Sequence, residues 1–321
     1  MRELEIIAKL QRRFGKVSPS VEIGIGDDAA VVASGGGMRW ALTTDALVEG
    51  VHFDMSRCTP RQLGYKSLAV NLSDLAAMGA LPRHVLVALA LPPTVTEEVV
   101  DGIFDGIAAL AAEHRVSVVG GNITRSPVLA VTITALGELS GPALERGGGR
   151  PGDRLMVTGD VGSSAIGHQL LASGRTGFDD LERDLVRRHL EPEPRVAAGQ
   201  ALRLIASAGI DISDGLAQDA GHLARASRCG ARIELARLPL SPAYHGLTRH
   251  LDDPWLPALA GGEDYELLLA VPPERVRTAG HAASAAGVVL HEIGELVQGS
   301  GVVVIDEAGA ERPAPAGWEH F

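Results

Sequence analysis

The chain has 321 residues, 45% of them apolar, 21% charged and only 3% aromatic; that length exceeds what one hydrophobic core ordinarily organises and predicts a two-domain globular protein. With 40 acidic residues against 29 basic ones the formal charge is −11, which argues against a nucleic-acid partner but not against a nucleotide, whose phosphates can meet bound metal ions. Cys58 and Cys229 make no metal-binding spacing, the amphipathic start "MRELEIIAKLQRRFG" lacks a signal-peptide core, and no apolar run reaches membrane length. The expectation is a cytoplasmic protein with no membrane partner.

In chain order, the first feature is "GIGDDAAVV" (24–32), where a glycine-rich loop is followed by Asp27 and Asp28 rather than by a lysine. Alone it reads as a turn. A strand over 39–44 carries Thr43 and Thr44 and ends at Asp45. A helix then starts at a capping box, with Thr59 as N-cap, Pro60 in the first turn and Gln62 three residues on, and runs through "LGYKSLAVNLSDLAAM" to Gly79. It is apolar nearly all round, yet Ser67, Asn71 and Asp74 fall at i, i+4 and i+7. A buried carboxylate is costly unless paired or metal-bound, so this stripe predicts a wall of a wet, metal-containing cleft.

A strand over 84–91 follows, then a helix capped by Thr94 and Glu97 that reaches about His114, then strands over 116–119 and 128–139. Residues 140–152 are rich in glycine and proline and read as a linker between a domain at 1–139 and another at 153–321. The second half restarts with a strand over 154–159, helices over 163–173, 180–190, 194–208 and 217–228, and strands over 231–235, 265–271, 288–296 and 301–306. Asp211 and Asp214 flank a strand-to-helix turn in "IDISDGLAQD", and Glu263 and Asp264 follow a glycine pair in "AGGEDYELL". Alternating strands and helices predict an α/β (α+β) fold.

If these acids converge, two like charges about 4 Å apart repel by roughly 1 kcal/mol in water and about 4 at an effective dielectric near 20. The group then stays partly protonated or binds cations. Carboxylates and threonine hydroxyls, without histidine or cysteine, suit Mg²⁺. The acids beside the glycine loop would then hold the metals that meet phosphate. Lys66 and Arg125 are further candidate cations, each also readable as a solvated surface charge. Arg146 alone reads as a linker arginine, His52 as a structural histidine and Trp318 as a core plug.

"GIGDDAA", "TTDALVEGVHF", "GYKSLAVNLSDLAAMGA", "ISDGLAQD" and "GGEDYELL", in this order and across most of the chain, closely resemble the thiamine-monophosphate kinase family. That family belongs to the ATP-binding superfamily of aminoimidazole ribonucleotide synthetase, selenophosphate synthetase and a hydrogenase-maturation protein. The resemblance implies a two-domain aminoimidazole ribonucleotide synthetase-like fold without a Walker-type loop, and a homodimer built through the N-terminal sheet domains. It implies transfer of the ATP γ-phosphoryl group to thiamine monophosphate, assisted by several Mg²⁺ ions. It further implies that Asp28, Thr43, Thr44, Asp45, Asp74, Asp211 and Asp214 bind metal, that Gly121, Asn122, Arg146 and Ser213 contact nucleotide, and that His52, Glu263 and Trp318 contact substrate. One departure stands out: the family commonly has Gly-Gly-Asp where this chain has "GGN", so Asn122 replaces a metal-binding aspartate and removes one negative charge.

The chemistry agrees with the residues. A phosphate monoester has its second pKa near 6, so the acceptor is already a nucleophile at neutral pH and needs no general base. What remains is to bring two polyanions together by positioning and charge neutralisation. A thiazolium cation would suit an aromatic face such as Trp318 beside Glu263. Other members of the superfamily remain alternatives. The selenophosphate type needs a reactive cysteine or selenocysteine near its start, absent from the first 57 residues here, and the hydrogenase type a C-terminal cysteine where this chain has "WEHF". An amidine cyclo-ligase, or a non-catalytic thiamine phosphate or nucleotide binder, stays open.

Overall fold

Two sheets, one in each half of the chain, meet along a buried helix that forms one wall of a large cleft. The computed structural model describes residues 3–14 and 18–318; the last three residues of the "GWEHF" tail lie outside the described residues. An opening helix, α1 (Glu3–Phe14), precedes the first sheet, whose strands are β1 (Val21–Ile23), β2 (Ala30–Ala33), β3 (Arg39–Val48), β4 (Leu81–Leu91), β5 (Ser117–Arg125) and β6 (Ala130–Leu139), in the order β1-β2-β3-β6-β4-β5. Among the described strands of this sheet only β4 and β5 pair in parallel, and α2 (Pro60–Ala77) and α3 (Glu97–His114) supply the intervening helices.

The second half contributes β7 (Arg154–Thr158), α4 (Ser163–Ala172), α5 (Asp180–Leu190), α6 (Val196–Leu202), β8 (Ala208–Asp211), α7 (Leu216–Ala226) and β9 (Gly230–Glu234). It continues with α8 (Pro242–Thr248), α9 (Leu256–Ala260), β10 (Leu267–Val271), α10 (Val276–Ala285), β11 (Leu290–Val297), β12 (Gly301–Ile305) and β13 (Glu311–Pro313). These strands form a seven-stranded sheet in the order β13-β12-β9-β11-β7-β10-β8.

The capping box of α2 forms as the sequence predicts: Gln62 N–H donates to Thr59 Oγ1 at 3.2 Å and Thr59 N–H to Gln62 Oε1 at 3.0 Å. An all-round apolar helix must be enclosed, and α2 is, by the first sheet, by α3 and by α6 of the second half. Glycines set these distances. A Cβ on Gly64 would lie 1.8 Å from the Ile103 carbonyl oxygen, and one on Gly199 1.9 Å from that of Ala76. One core therefore runs through both halves, joining Leu68, Leu72 and Leu75 to Val196, Leu202 and Leu269.

Several elements differ from the sequence reading. The N-cap of α3 is Thr96, whose side chain makes no capping bond to the helix backbone, and Glu97 and Glu98 in the first turn complement the helix dipole instead. The apolar pattern expected to stay helical over 194–208 breaks after Leu202, because β10 pairs with Ala208–Asp211. β5 continues past residue 119 through "GGNITR" to Arg125, since β4 pairs with it along its whole length. β3 also runs on to Val48, so Asp45 sits within the strand and not at its end.

Candidate active site

A cleft of about 1560 Å³ takes its lining from both halves of the chain. Asp28 enters from the loop before β2, Asp74 from the last turn of α2, and Asp211 from the end of β8. Ligand oxygens of these three acids all lie within 4.8 Å of one another. Hydroxyls steady them: Thr43 Oγ1 donates to Asp74 Oδ2, and Ser73 Oγ to Asp211 Oδ2. β2 pairs only with Arg39–Leu42 of β3, so α2 serves the strand beyond that point, where Asn71 Oδ1 accepts the Asp45 N–H at 3.2 Å.

The stripe on α2 therefore divides. Ser67 donates to the Leu63 carbonyl and Asn71 to that of Ser67; both are buried and lie outside the cleft lining. The face of α2 that lines the cleft runs instead through Leu63, Lys66, Val70 and Asp74.

Crowding shows in the protonation of the acids. Asp74 is pushed well above the carboxylate range by burial and then by Asp45, Asp211 and Asp28. Asp211 rises to about 8, through burial and the charge of Asp28. Burial raises Asp28 against the pull of Arg146. Asp45 opens to the cleft, yet protein surrounds it closely enough that lost hydration raises it too. Asp28 Oδ2 is buried with no hydrogen-bond partner. An acceptor left bare costs free energy that a cation would return. Hard oxygen donors, mutual repulsion and that bare oxygen together fit Mg²⁺.

The two acids of the opening glycine loop have separate tasks. Asp27 accepts the backbone N–H of Arg146, at 3.3 and 3.2 Å to its two oxygens, and burial followed by Asp28 raises it to about 6. Asp28 Oδ1 takes the Arg146 guanidinium, 3.1 Å from Nε and 2.5 Å from Nη2. Arg146, in a stretch that reads as a loose linker, is thus pinned over the acids.

A second group, Asp214, Asp219 and His222, also brings ligand atoms within 4.8 Å of one another. Asp219 was not singled out by sequence. Its Oδ2 accepts the N–H groups of Ser213, Asp214 and Gly215, which folds the turn that presents Ser213 and Asp214. The signal was its position one turn inside α7, where a carboxylate can satisfy orphan N–H groups at the helix start. His222 is lowered to about 4 by burial and then by Arg146 and Arg225.

Glu263 lines the cleft after the glycine pair; a Cβ on Gly262 would lie 2.2 Å from the Ser213 carbonyl oxygen, so this close approach requires glycine. His52 is half-buried and its Nδ1 accepts the Val48 N–H at 3.1 Å, which leaves the proton on Nε2. Trp318 lies at the rim, 52% exposed. Its backbone N–H donates to the Asp214 carbonyl and its own carbonyl accepts from Gln218 Nε2.

Thr44 lines the cleft as well, with its hydroxyl turned to the Ile133 carbonyl and to Thr134 Oγ1, both at 3.1 Å. Two expected site residues sit elsewhere. Gly121 and Asn122 lie on β5, exposed along its length and outside the cleft, as does Arg125. Asn122 registers with Ala88, Ala88 with Thr132 and Thr132 with Ala46, so three strand spacings, about 14 Å, separate it from the β3 residues beside Asp45.

The profile described as AIR synthase related protein, N-terminal domain, matches residues 26–139, and that described as AIR synthase related protein, C-terminal domain, matches residues 150–307. A thiamine-monophosphate kinase of Salmonella typhimurium is 44% identical over 276 residues, 84% of this chain and 82% of the relative. A thiamine-monophosphate kinase of Caulobacter vibrioides is 38% identical over 326 residues, 99% of this chain and 90% of the relative. The solved structure of AaThiL complexed with AMPPCP and TMP matches with a TM-score of 0.89 at 34% identity, over 100% of this chain and 97% of that one.

Proposed function

This chain belongs to the thiamine-monophosphate kinase family and phosphorylates thiamine monophosphate with ATP as co-substrate, and we propose that it does so by direct in-line transfer of the γ-phosphoryl group. The observation that carries this mechanism is the convergence of Asp28, Asp74 and Asp211 with one buried oxygen of Asp28 unsatisfied. In this reading Asp28, Thr43, Thr44, Asp45, Asp74, Asp211 and Asp214 hold several Mg²⁺ ions. When bound, Mg²⁺ supplies the positive charge that two polyanions need in order to meet.

The chain's own residues do the rest. Thr43 and Ser73 orient the carboxylates, and Arg146, fixed by Asp27 and Asp28, and Ser213 face the nucleotide. The acceptor phosphate is its own nucleophile, so no residue has to remove a proton. His52, Glu263 and Trp318 meet the thiamine end, where an aromatic face and a carboxylate suit a cationic ring.

β5 supports a homodimer. It is an exposed edge with Val119 at 56% and Ile123 at 66% exposure, beside Leu86 of β4 at 41%. Such an apolar edge asks for a covering partner. A second copy on this face would let Gly121 and Asn122 reach the partner's nucleotide, which accounts for their distance from the cleft of their own chain. The proposed division of the chain stays at 1–139, 140–152 and 153–321. None of the described helices is long and apolar enough to cross a membrane, and the reading is a cytoplasmic enzyme.

Incubation with ATP, Mg²⁺ and thiamine monophosphate tests the assignment: thiamine diphosphate and ADP form in equal amounts, and a chelator abolishes both. Tight binding of Mg-ATP with no diphosphate formed would overturn it in favour of another acceptor.

A further inference from the structure

Glu263 is gripped from two sides. Its Oε1 lies 2.7 Å from Lys66 Nζ and its Oε2 3.4 Å from His189 Nδ1. Lys66 rises from the middle of α2, two turns before Asp74, and is 3% exposed. A lysine so enclosed is rare unless paired. Its partner is not enclosed to the same degree: the Glu263 side chain keeps 31% exposure and faces the cleft. The pair is thus a buried cation behind a carboxylate whose outer surface is offered to a ligand.

The backbone is arranged to present that surface. Glu263 has φ +66° and Tyr265 φ +52°, a left-handed conformation that side chains seldom adopt outside functional loops. Asp264, between them, points the other way and accepts the N–H groups of Gly162 and Ser164 at 2.7 and 3.2 Å, at the start of α4. That anchor holds the loop so that Glu263 stays on the cleft side.

The other titratable neighbours carry no charge at neutral pH. His189, from α5, bonds to Ser164 Oγ at 3.1 Å and packs on His168 at 5.1 Å between ring centroids. Burial, then Lys66 and His168, holds it well below the ordinary histidine range. Burial and then Glu263 keep the Tyr265 phenol protonated. Lys66 is therefore the cation in contact with Glu263 among the described residues.

We propose that Lys66 is a positioning residue for the acceptor: its ammonium holds the Glu263 carboxylate turned into the cleft, where it meets the cationic end of thiamine monophosphate. This rests on the reading of Glu263 as a substrate contact. Without Lys66, a carboxylate set against a neutral imidazole and a phenol would lose its charge-assisted partner and its fixed direction.

Lys66→Met, Lys66→Gln, Lys66→Arg and Glu263→Gln separate this role from simple bracing of α2 against the loop. Loss of one charge-assisted bond predicts that Lys66→Met raises the KM for thiamine monophosphate roughly 10- to 100-fold, with the KM for ATP little changed. Lys66→Gln, which keeps a donor but no charge, behaves likewise, and supplies the measurement should the methionine variant not fold. Lys66→Arg, which keeps both charge and donors, restores most of the acceptor KM. Glu263→Gln raises the same KM, and adding Lys66→Met to it changes little further. The proposal is overturned if Glu263→Gln raises the acceptor KM while Lys66→Met and Lys66→Gln leave it unchanged. If Glu263→Gln itself leaves the acceptor KM unchanged, the substrate role of Glu263 falls, and the proposal with it.

Discussion

Replacing Gly106 by alanine tests whether α2 is held where the acids need it. A Cβ at Gly106 would lie 1.9 Å from the Arg61 carbonyl oxygen and 2.6 Å from the Tyr65 nitrogen. Ordinary contact begins near 3.4 Å, so α2 and α3 must part by about 1.5 Å to admit one methyl group. Two effects oppose each other. Alanine is the better helix former by about 1 kcal/mol, whereas overpacking costs about 1–3 kcal/mol, and most where the obstacle is backbone that cannot swing aside. α2 has no room to retreat, because Gly199 of α6 closes on Ala76 from its other side. Overpacking wins, with a net loss of about 1–2 kcal/mol. Turnover suffers more, since Asp74 and Lys66 ride on α2 and a shift near 1 Å can cost about 100-fold. Urea unfolding and steady-state kcat measure the two effects. Gly280→Ala is the control: nothing lies within 4 Å of its Cβ, so propensity acts alone and the variant gains roughly 1 kcal/mol. A Gly106→Ala protein as stable and as active as the parent would refute the backbone contact between α2 and α3.

The remaining predictions concern charge and assembly. Asp211 is raised to about 8, whereas the lowered His189 and His222 act with the opposite sign only below their ordinary value of 6.5, so between roughly pH 6.5 and 8 the folded metal-free protein binds more protons than the unfolded chain. Its stability therefore falls as pH rises across that window, and Mg²⁺ raises the Tm more at pH 8 than at pH 6.5; a metal-free Tm that climbs over this range contradicts the account. Asp45→Asn and Asp74→Asn each lower kcat by about 100-fold or more, whereas Asn122→Asp changes it less than about tenfold; comparable large losses from all three would show that the site is wrongly partitioned. Ile123→Lys, on the exposed edge of β5, gives a monomer by sedimentation with reduced activity, and an unaltered dimer would move the interface elsewhere.

Much of the site was legible because its residues lie in local patterns. The Thr59 capping box located α2, and the cost of burying Asp74 in an apolar helix pointed to a polar cleft. What stayed hidden depended on long-range contact. Ser67 and Asn71 look equivalent to Asp74 along the chain, but the rotation of α2 is set by Gly64 against Ile103 and by the sheet, and it turns Lys66 and Val70 to the cleft instead. The strand expected over 116–119 runs on through "GGNITR" because β4 pairs with it. Arg146 looks loose in its glycine-rich surroundings, because Asp27 and Asp28 lie more than 100 residues away. His189 had no sequence signal, being one histidine on an ordinary amphipathic helix until the fold brings Glu263 to it.

The central claim is direct transfer of the γ-phosphoryl group between two bound phosphates, with no phosphorylated residue in between. The most direct measurement uses ATP made chiral at the γ-phosphorus by isotopic substitution, with the configuration of the terminal phosphorus read in the thiamine diphosphate formed. One in-line displacement predicts inversion. Retention, the mark of two successive displacements through a phosphorylated residue, would contradict it.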